Sequence, residues 1–417
     1  MPFAPAAGFV ATAQGAKLQR LRILVASPFL PSPGATHGGG VYLGALLTAL
    51  AREADVGLVS FVRPSELRWR DVPSAGIALS RTIELPSNYD LSPAAKAIHK
   101  LHMAWRWGVQ GLPLLAAKYR SRAMSEELRR TTAEFQPDAV FVEFGIMAQY
   151  LSCFAGVPTV LTDHEHGATP HQAVFFGLGQ GRDKRLWDRY IRKHYRLATL
   201  VQALNEDDAT RLSTQVGKPV EIRTPVVPLP HDTVDPRLAR PRALFLGDYT
   251  HRPNPETACF LAQQVWPIVR RHMNDAELVL AGPRANAEVK DLAKLPGVSF
   301  VGFVPDLKAL VGDARLLLAP MFSGSGSRIK VLTALAHGLP VVSNSLGLRG
   351  VKAPALAARS AESAEDIAAH ALALLEEPDE AGRAGRLARS WAMESLRPEL
   401  LVKTQLARVE KLVRNGR

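Results

Sequence analysis

Two stretches of this chain carry residue types that could do chemistry. In Gly324-Ser325-Gly326-Ser327-Arg328-Ile329-Lys330 the glycines let the backbone approach a ligand closely, and two cations stand at the start of a helix-period segment. The unpaired N–H groups and positive end of that helix, with Arg328 and Lys330, favour an anion, most simply a diphosphate. Gly/Ser loops also precede helices for packing reasons alone, with their basic residues solvated. The second stretch is Asp163-His164-Glu165-His166-Gly167. His-x-His with carboxylates has the ligand types of a metal site, without a further spaced ligand motif beside it. The same side chains serve equally as a helix cap or as mutual partners.

The elements that must position these groups read as alternating strands and helices. Arg22–Ser27, Val56–Phe61, Asp138–Phe144, Val157–Thr162 and Thr199–Leu204 are apolar runs of buried-strand length. Between the first two, a loop from Pro28 continues to His37-Gly38-Gly39-Gly40, and a helix is predicted over Val41–Arg52. Those glycines are consecutive and lie far behind the strand, so they are not a dinucleotide fingerprint; they serve either tight packing or a ligand cleft. Asn205 reads as a helix cap followed by acids. A second alternation comprises Ala243–Gly247, Glu277–Ala281, Val298–Val301, Leu316–Ala319 and Val341-Val342, with Asn254-Pro255-Glu256 as cap, first position and first turn of a helix. The fold class is α/β with two Rossmann-like units of parallel strands. We expect a loose tail over 1–20, a first domain over 21–224, a stiff proline-rich linker over 225–241, a second domain over 242–390, and a C-terminal helix over 391–417.

The chain has 417 residues, 47% of them hydrophobic, a net charge of +12 and a pI near 9.9. Such a balance favours an acidic partner: nucleic acid, anionic lipid or a phosphorylated substrate. No nucleic-acid reading module is recognisable, so none is expected as a partner. Cys153 and Cys259 fall in different units and form no disulfide framework, which fits a reducing cytoplasm. The N-terminal residues lack a basic start before an apolar block and do not read as a secretory signal. Nor does any apolar run reach the roughly 18 to 20 residues that span a bilayer. Pro93 to Arg130 is helical in pattern, broken at Gly108 and Gly111-Leu112-Pro113, and mixes Lys96, Lys100, Arg106 and Arg120 with Trp105, Trp107 and Tyr119. A surface resting on anionic lipid and a helix pair with core-facing aromatics explain these letters equally.

The run from Gly324 through His337-Gly338-Leu339-Pro340-Val341-Val342 resembles the donor-binding loop and helix of glycosyltransferase family 4, in the G-x-G-x-R-x-K branch. Phe245-Leu246-Gly247-Asp248-Tyr249, Ala281-Gly282-Pro283 and Gly302-Phe303-Val304-Pro305-Asp306 follow the family's order. The resemblance covers about 240–350 and implies a GT-B fold: two Rossmann-like domains facing a cleft. It implies a retaining transferase moving a sugar from a nucleoside-diphosphate sugar to a glycan or lipid-linked acceptor, in bacterial polysaccharide or surface-glycan assembly. It further implies donor contacts from Gly247, Val304, Gly324, Ser325, Gly326, Arg328, Lys330 and Thr333, and a cleft loop at Gly38, Gly39 and Gly40. Catalytic roles fall to His164, Asp163 and Glu165, which gives that cluster a third reading as an acceptor-positioning and proton-handling group, and Glu143 becomes an acceptor candidate. No cofactor or metal is required if the cations carry the leaving-group charge. A cytoplasmic enzyme touching the inner face of the membrane is the expected setting. Two positions depart from the pattern: Thr333 stands where the family has a ribose-binding glutamate, and Arg349 replaces a second acidic residue. Loss of both leaves open a GT-B scaffold without catalysis that binds glycans or assembles with partners, and an epimerase or phosphorylase on the same fold is a further alternative.

Overall fold

The computed structural model describes residues 20–31, 38–69, 76–85, 92–164, 180–251, 253–324 and 328–416. Its first sheet holds β1 (Arg22–Ser27), β2 (Asp55–Val62), β3 (Ile77–Glu84), β4 (Ala139–Glu143), β5 (Thr159–Asp163), β6 (Leu200–Ala203) and β7 (Glu221–Ile222). They pair in parallel in the order β3-β2-β1-β4-β5-β6-β7. β1, β4 and β5 lie at the centre and are buried on both faces, as their apolar middle positions require. Helices α1 (Gly38–Glu53), α2 (Pro93–Gly108), α3 (Leu114–Lys118), α4 (Arg122–Phe135), α5 (Gln180–His194) and α6 (Glu206–Val216) accompany this sheet. Ser92, Ser121 and Asn205 cap α2, α4 and α6 through side-chain oxygens, each accepting from a backbone N–H three residues on.

A second parallel sheet has the order β10-β9-β8-β11-β12-β13. Its strands are β8 (Arg242–Leu246), β9 (Glu277–Ala281), β10 (Val298–Gly302), β11 (Leu316–Leu318), β12 (Val341–Ser343) and β13 (Ala358–Ser360). The helices around it are α7 (Pro253–Phe260), α8 (Trp266–His272), α9 (Ala287–Asp291), α10 (Leu307–Gly312), α11 (Ile329–His337), α12 (Ser345–Leu348), α13 (Ala364–Glu376) and α14 (Pro378–Ser395). α15 (Pro398–Gly416) leaves this unit and lies on α1, where Val402, Leu406 and Val409 join the core of the first sheet. Gln405 and Gln202 exchange amide hydrogen bonds of 3.1 and 3.0 Å across that seam. The chain between the sheets is packed as well: Val226 and Val227 are buried in the same core, and Arg389 donates to the Pro230 carbonyl at 2.7 Å.

Two local expectations change. Gly38, Gly39 and Gly40 are the first turn of α1 and not a loop ahead of it. Glycine is a poor helix former, which hides a helix start in the sequence; what selects it here is space. A Cβ on Gly39 would stand 2.8 Å from the Phe29 ring and 2.9 Å from that of Phe144. Likewise α7 begins at Pro253, so Asn254 sits inside its first turn and spends its side chain elsewhere. Its Nδ2 donates to the Asp248 carbonyl at 2.8 Å, and its Oδ1 accepts from Lys330 at 2.7 Å.

Candidate active site

A cleft of about 650 Å³ opens between the C-terminal ends of the two sheets. Open α/β sheets hold ligands at those ends because loops there follow strands and precede helix N-termini. Two such N-termini meet here: α1 at Gly38 and α11 at Ile329, so close that a Cβ added to Gly38 would stand 3.3 Å from the Ile329 Cβ. Their dipoles converge on the same space, which suits a ligand of negative charge.

On the second-sheet side, Arg328 occupies the cap position of α11 with φ of 46°, a left-handed conformation uncommon for a residue with a side chain. Its Nε donates to the Leu346 carbonyl at 2.9 Å. Burial, with Arg349 nearby, pushes its guanidinium down to about 10, partly offset by Asp208. Lys330, two residues on, places its Nζ 4.6 Å from the centre of the Phe245 ring in addition to its bond with Asn254. Desolvation and then the Arg328 charge bring its amine down to about 7. Gly247 lines the cleft and has Asn254 packed against the space its side chain would fill. Behind it, Gly282 adopts φ of 141°, and a Cβ there would collide with the Gly247 carbonyl. Val304 and Thr333 also line the cleft, and the Thr333 carbonyl bonds the His337 ring at 2.9 Å. Gly324 has φ of 102° at the near end of the Gly/Ser loop, whereas Ser325 and Gly326 lie outside the described residues. Asp248 and His251 are further cleft residues that the sequence reading passed over as ligands.

The opposite wall is built at the ends of β4 and β5. Glu143 closes β4 and is fully buried. Its Oε2 lies 2.9 Å from His164 Nε2 and 3.1 Å from the Tyr42 hydroxyl, and its Oε1 accepts from Arg223 at 3.0 Å. Burial pushes the Glu143 carboxyl up, but Arg223 and the His164 bond outweigh it and the net shift is downward. His164 is lowered as well, chiefly by burial. Its ring stacks on Phe144 at 3.8 Å and meets Tyr42 edge-on at 4.5 Å. An ionised Glu143 at Nε2 fixes the proton there and leaves Nδ1 as an acceptor. Phe144 itself has φ of 71°, a strained conformation that aims its ring into the cleft.

Glu143, the acceptor candidate of the sequence, is buried behind the cleft wall, where it bonds His164 Nε2. It does not line the cleft because Arg223, 80 residues on, draws it inward. Asp163 and His164 do line it. Asp163 bonds the Tyr195 hydroxyl across Gly145, where any side chain would strike both groups. Glu165 falls outside the described residues. Among the described residues, no group of three His, Cys, Asp or Glu side chains is arranged to hold a metal ion. Arg349 does not line the cleft but pairs beside it with Asp207 on α6 at 2.9 Å. Arg223 and Tyr42 carried no local motif; their link to Glu143 spans 80 and 101 residues and becomes visible only in three dimensions.

Parallel sheets facing each other across such a cleft are the GT-B arrangement of glycosyltransferases. Residues 240–377 match the family model described as Glycosyl transferases group 1. Residues 240–377 thus carry a glycosyltransferase group 1 domain, and the chain as a whole has the GT-B fold. Comparison with curated proteins found no match. Among solved structures, sucrose-phosphate synthase from Thermosynechococcus elongatus shares 16% identity at a TM-score of 0.67, covering 95% of this chain and all of that one (100%). A variant of TarM from S. aureus, in complex with fondaparinux, α-GlcNAc-glycerol and UDP, shares 9% at 0.62, covering 93% and 99%. Anabaena HepE in complex with UDP and glucose shares 14% at 0.60, covering 94% and 100%.

Proposed function

We propose that this protein transfers a sugar from a nucleoside-diphosphate sugar to a glycan or lipid-linked acceptor, with retention at the anomeric carbon. The observation that carries the reading is the convergence of the α11 N-terminus, Arg328 and Lys330 on the same cleft as the Glu143-supported His164. In the second-sheet wall, Arg328, Lys330 and the helix N–H groups would stabilise the charge that develops on the departing diphosphate. Gly247 and Gly282 keep the strand ends low enough for the donor to approach, and Val304 would flank its base. Thr333 offers the ribose a neutral hydroxyl in place of a carboxylate. In the first-sheet wall, His164 Nδ1 and Asp163 would orient the sugar and acceptor hydroxyls on the donor face, and closure of the cleft would exclude water. These cations supply the leaving-group stabilisation without a metal, so chelation with EDTA is expected to leave turnover unchanged. UDP-bearing GT-B structures of similar fold support a nucleotide donor. Retention, and a place in bacterial surface-glycan assembly, follow from the family 4 resemblance.

The deciding experiment is calorimetric titration of a panel of nucleoside diphosphates into the native chain and Arg328→Ala. Saturable binding of one nucleotide, weakened at least about tenfold in the variant, is expected from the loss of a charge-assisted contact. No binding at millimolar ligand would sink the reading. The absence of acids at Thr333 and Arg349, with Arg349 turned onto Asp207, favours a second reading: a glycan-binding scaffold without catalysis. Nucleotide binding without detectable sugar transfer across an acceptor panel would select it.

A further inference from the structure

The outer face of α2 is apolar where a helix on a soluble surface is ordinarily polar. Ile98, Leu101, Trp105 and Val109 are 56%, 69%, 51% and 74% exposed, and their spacing sets them along one stripe. None of the helix's residues is buried. Its inner side is nevertheless fastened. Trp107 Nε1 donates to the buried Asp183 at 3.1 Å, the same carboxylate accepts from Leu114 N at 2.9 Å, and Arg106 donates to the Ala117 carbonyl at 2.8 Å. The stripe is thus held outward by specific bonds on its other side.

Charge around the stripe is predominantly basic, the acids beside it being the buried Asp183 and the half-buried Asp188 of α5. Residues 91–125 contain six Lys or Arg and no Asp or Glu. On α5, which Arg182 ties to the end of α2 through the Gly108 carbonyl, Lys184 and Arg185 are exposed too. An apolar stripe within a predominantly basic field is the composition of a helix that lies in the interface of an anionic bilayer, aromatic and aliphatic groups below the headgroups and cations among them. Charge decides the occupant: a second copy of this chain would bring the same positive field against itself.

We propose that α2 and the adjoining face of α5 dock this protein on an anionic lipid bilayer. α3 follows α2 directly and places Leu115 in the wall of the cleft, with Tyr119 just beyond it. The docked surface therefore borders the mouth of the site on its first-sheet side. A bilayer there would bring a lipid-borne acceptor to the cleft without its leaving the headgroup layer. The acceptor half of this picture rests on the transfer reading; the membrane contact does not, so the two fail separately.

The test is co-sedimentation of the full chain with vesicles, without nucleotide. Binding to phosphatidylcholine vesicles containing about a third phosphatidylglycerol is expected to be at least about tenfold tighter than to pure phosphatidylcholine, and to weaken steeply in about 0.5 M salt. Trp105→Glu and Leu101→Glu, at exposed positions and checked for an intact fold by circular dichroism and thermal melting, are each expected to lower binding at least about fivefold. Lys100→Glu is expected to lower binding to anionic vesicles only. Equal affinity for neutral and anionic vesicles would overturn the proposal, as would full binding by Trp105→Glu. So would a dimer in sedimentation velocity that Trp105→Glu converts to monomer, which would assign the stripe to a second copy.

Discussion

At the scale of single residues, the two walls of the cleft manage charge in opposite ways. Glu143 and Arg223 form a buried pair in which each compensates the other's desolvation, so breaking it from one side strands a charge. Glu143→Gln is expected to lower unfolding free energy by about 3 kcal/mol through the unpaired Arg223, measured by denaturant titration. The double variant Glu143→Gln, Arg223→Met should recover most of that loss. Transfer activity should stay low in both, because neither restores the anionic partner of His164 Nε2; full activity in the double variant would show that Glu143 serves stability alone. Lys330 is handled differently, as a cation held near neutrality until an anion arrives. Its amine, near 7 in the empty cleft, is protonated below that pH and neutral above it. A bound diphosphate raises the amine again, so binding takes up a proton wherever the empty form is neutral. Between about pH 7.5 and 9, from about half a unit to two units above that value, nucleotide affinity should fall by up to about tenfold per pH unit. Calorimetry in buffers of different ionisation enthalpy reads the proton directly. Lys330→Arg, whose charge does not titrate in this range, should flatten the profile; an unchanged slope would place the titration elsewhere.

Elements explain which parts of this structure could be read from the chain and which could not. Central strands such as β1, β4 and β5 announce themselves, because burial on both faces keeps their middle positions apolar and leaves polar residues to their ends. Edge strands do not: β3 alternates partly exposed and exposed residues, while β7 and β13 are two and three residues long. The break of the basic segment into α2, α3 and α4 was legible from Gly108 and Pro113, and the α6 cap from Asn205. Local motifs likewise marked Arg328, Lys330 and His164, since glycine, cation and imidazole types are informative where they stand. The Glu143 network was hidden because its members come from α1, β4 and the chain after β7, brought together only by the sheet order. The start of α1 was misplaced for a related reason: its glycines answer to Phe29 and Phe144, not to helix propensity. Gly39→Ala tests that coupling. Its methyl would displace the Phe144 ring from under His164, so a fall of about tenfold or more in transfer rate is expected, with a stability loss of about 1–3 kcal/mol from overpacking. A variant that melts like the native chain and turns over at the native rate would show that α1 tolerates the methyl and that Phe144 does not position the imidazole.

For the whole molecule, the proposed transfer makes what joins the two units decisive, since it calls for them to close around a substrate. The permanent tether is α15, whose apolar side is buried on α1 with Gln405 locked to Gln202, and whose rim pairs Arg52 with Glu399 and Arg408 with Glu221. At the cleft the joint is lighter. Gly38 meets Ile329, Gly350 packs near Asn205, and Arg349 pairs with Asp207. Arg349, which departs from the acidic pattern of the family the sequence resembles, thus makes a contact between units at the N-terminus of α6, an end that already gathers Glu206, Asp207 and Asp208. An ion pair this exposed adds little to folding, on the order of 0–1 kcal/mol, but it need not be strong to bias an equilibrium between nearly equal open and closed forms. Arg349→Ala should therefore leave the melting temperature within about 2 °C of the native value. The same change should raise the donor KM or lower kcat by about two- to tenfold, because the closed form becomes less populated. Arg349→Asp should do more, since it sets a carboxylate against Asp207, and adding Asp207→Arg should restore much of the loss by rebuilding the pair with its ends exchanged. Double-mutant kinetics measures the coupling. If the two single changes simply add, with no recovery in the exchanged pair, then Arg349 acts on its own side of the cleft and closure is governed by α15 and the Gly38–Ile329 contact alone.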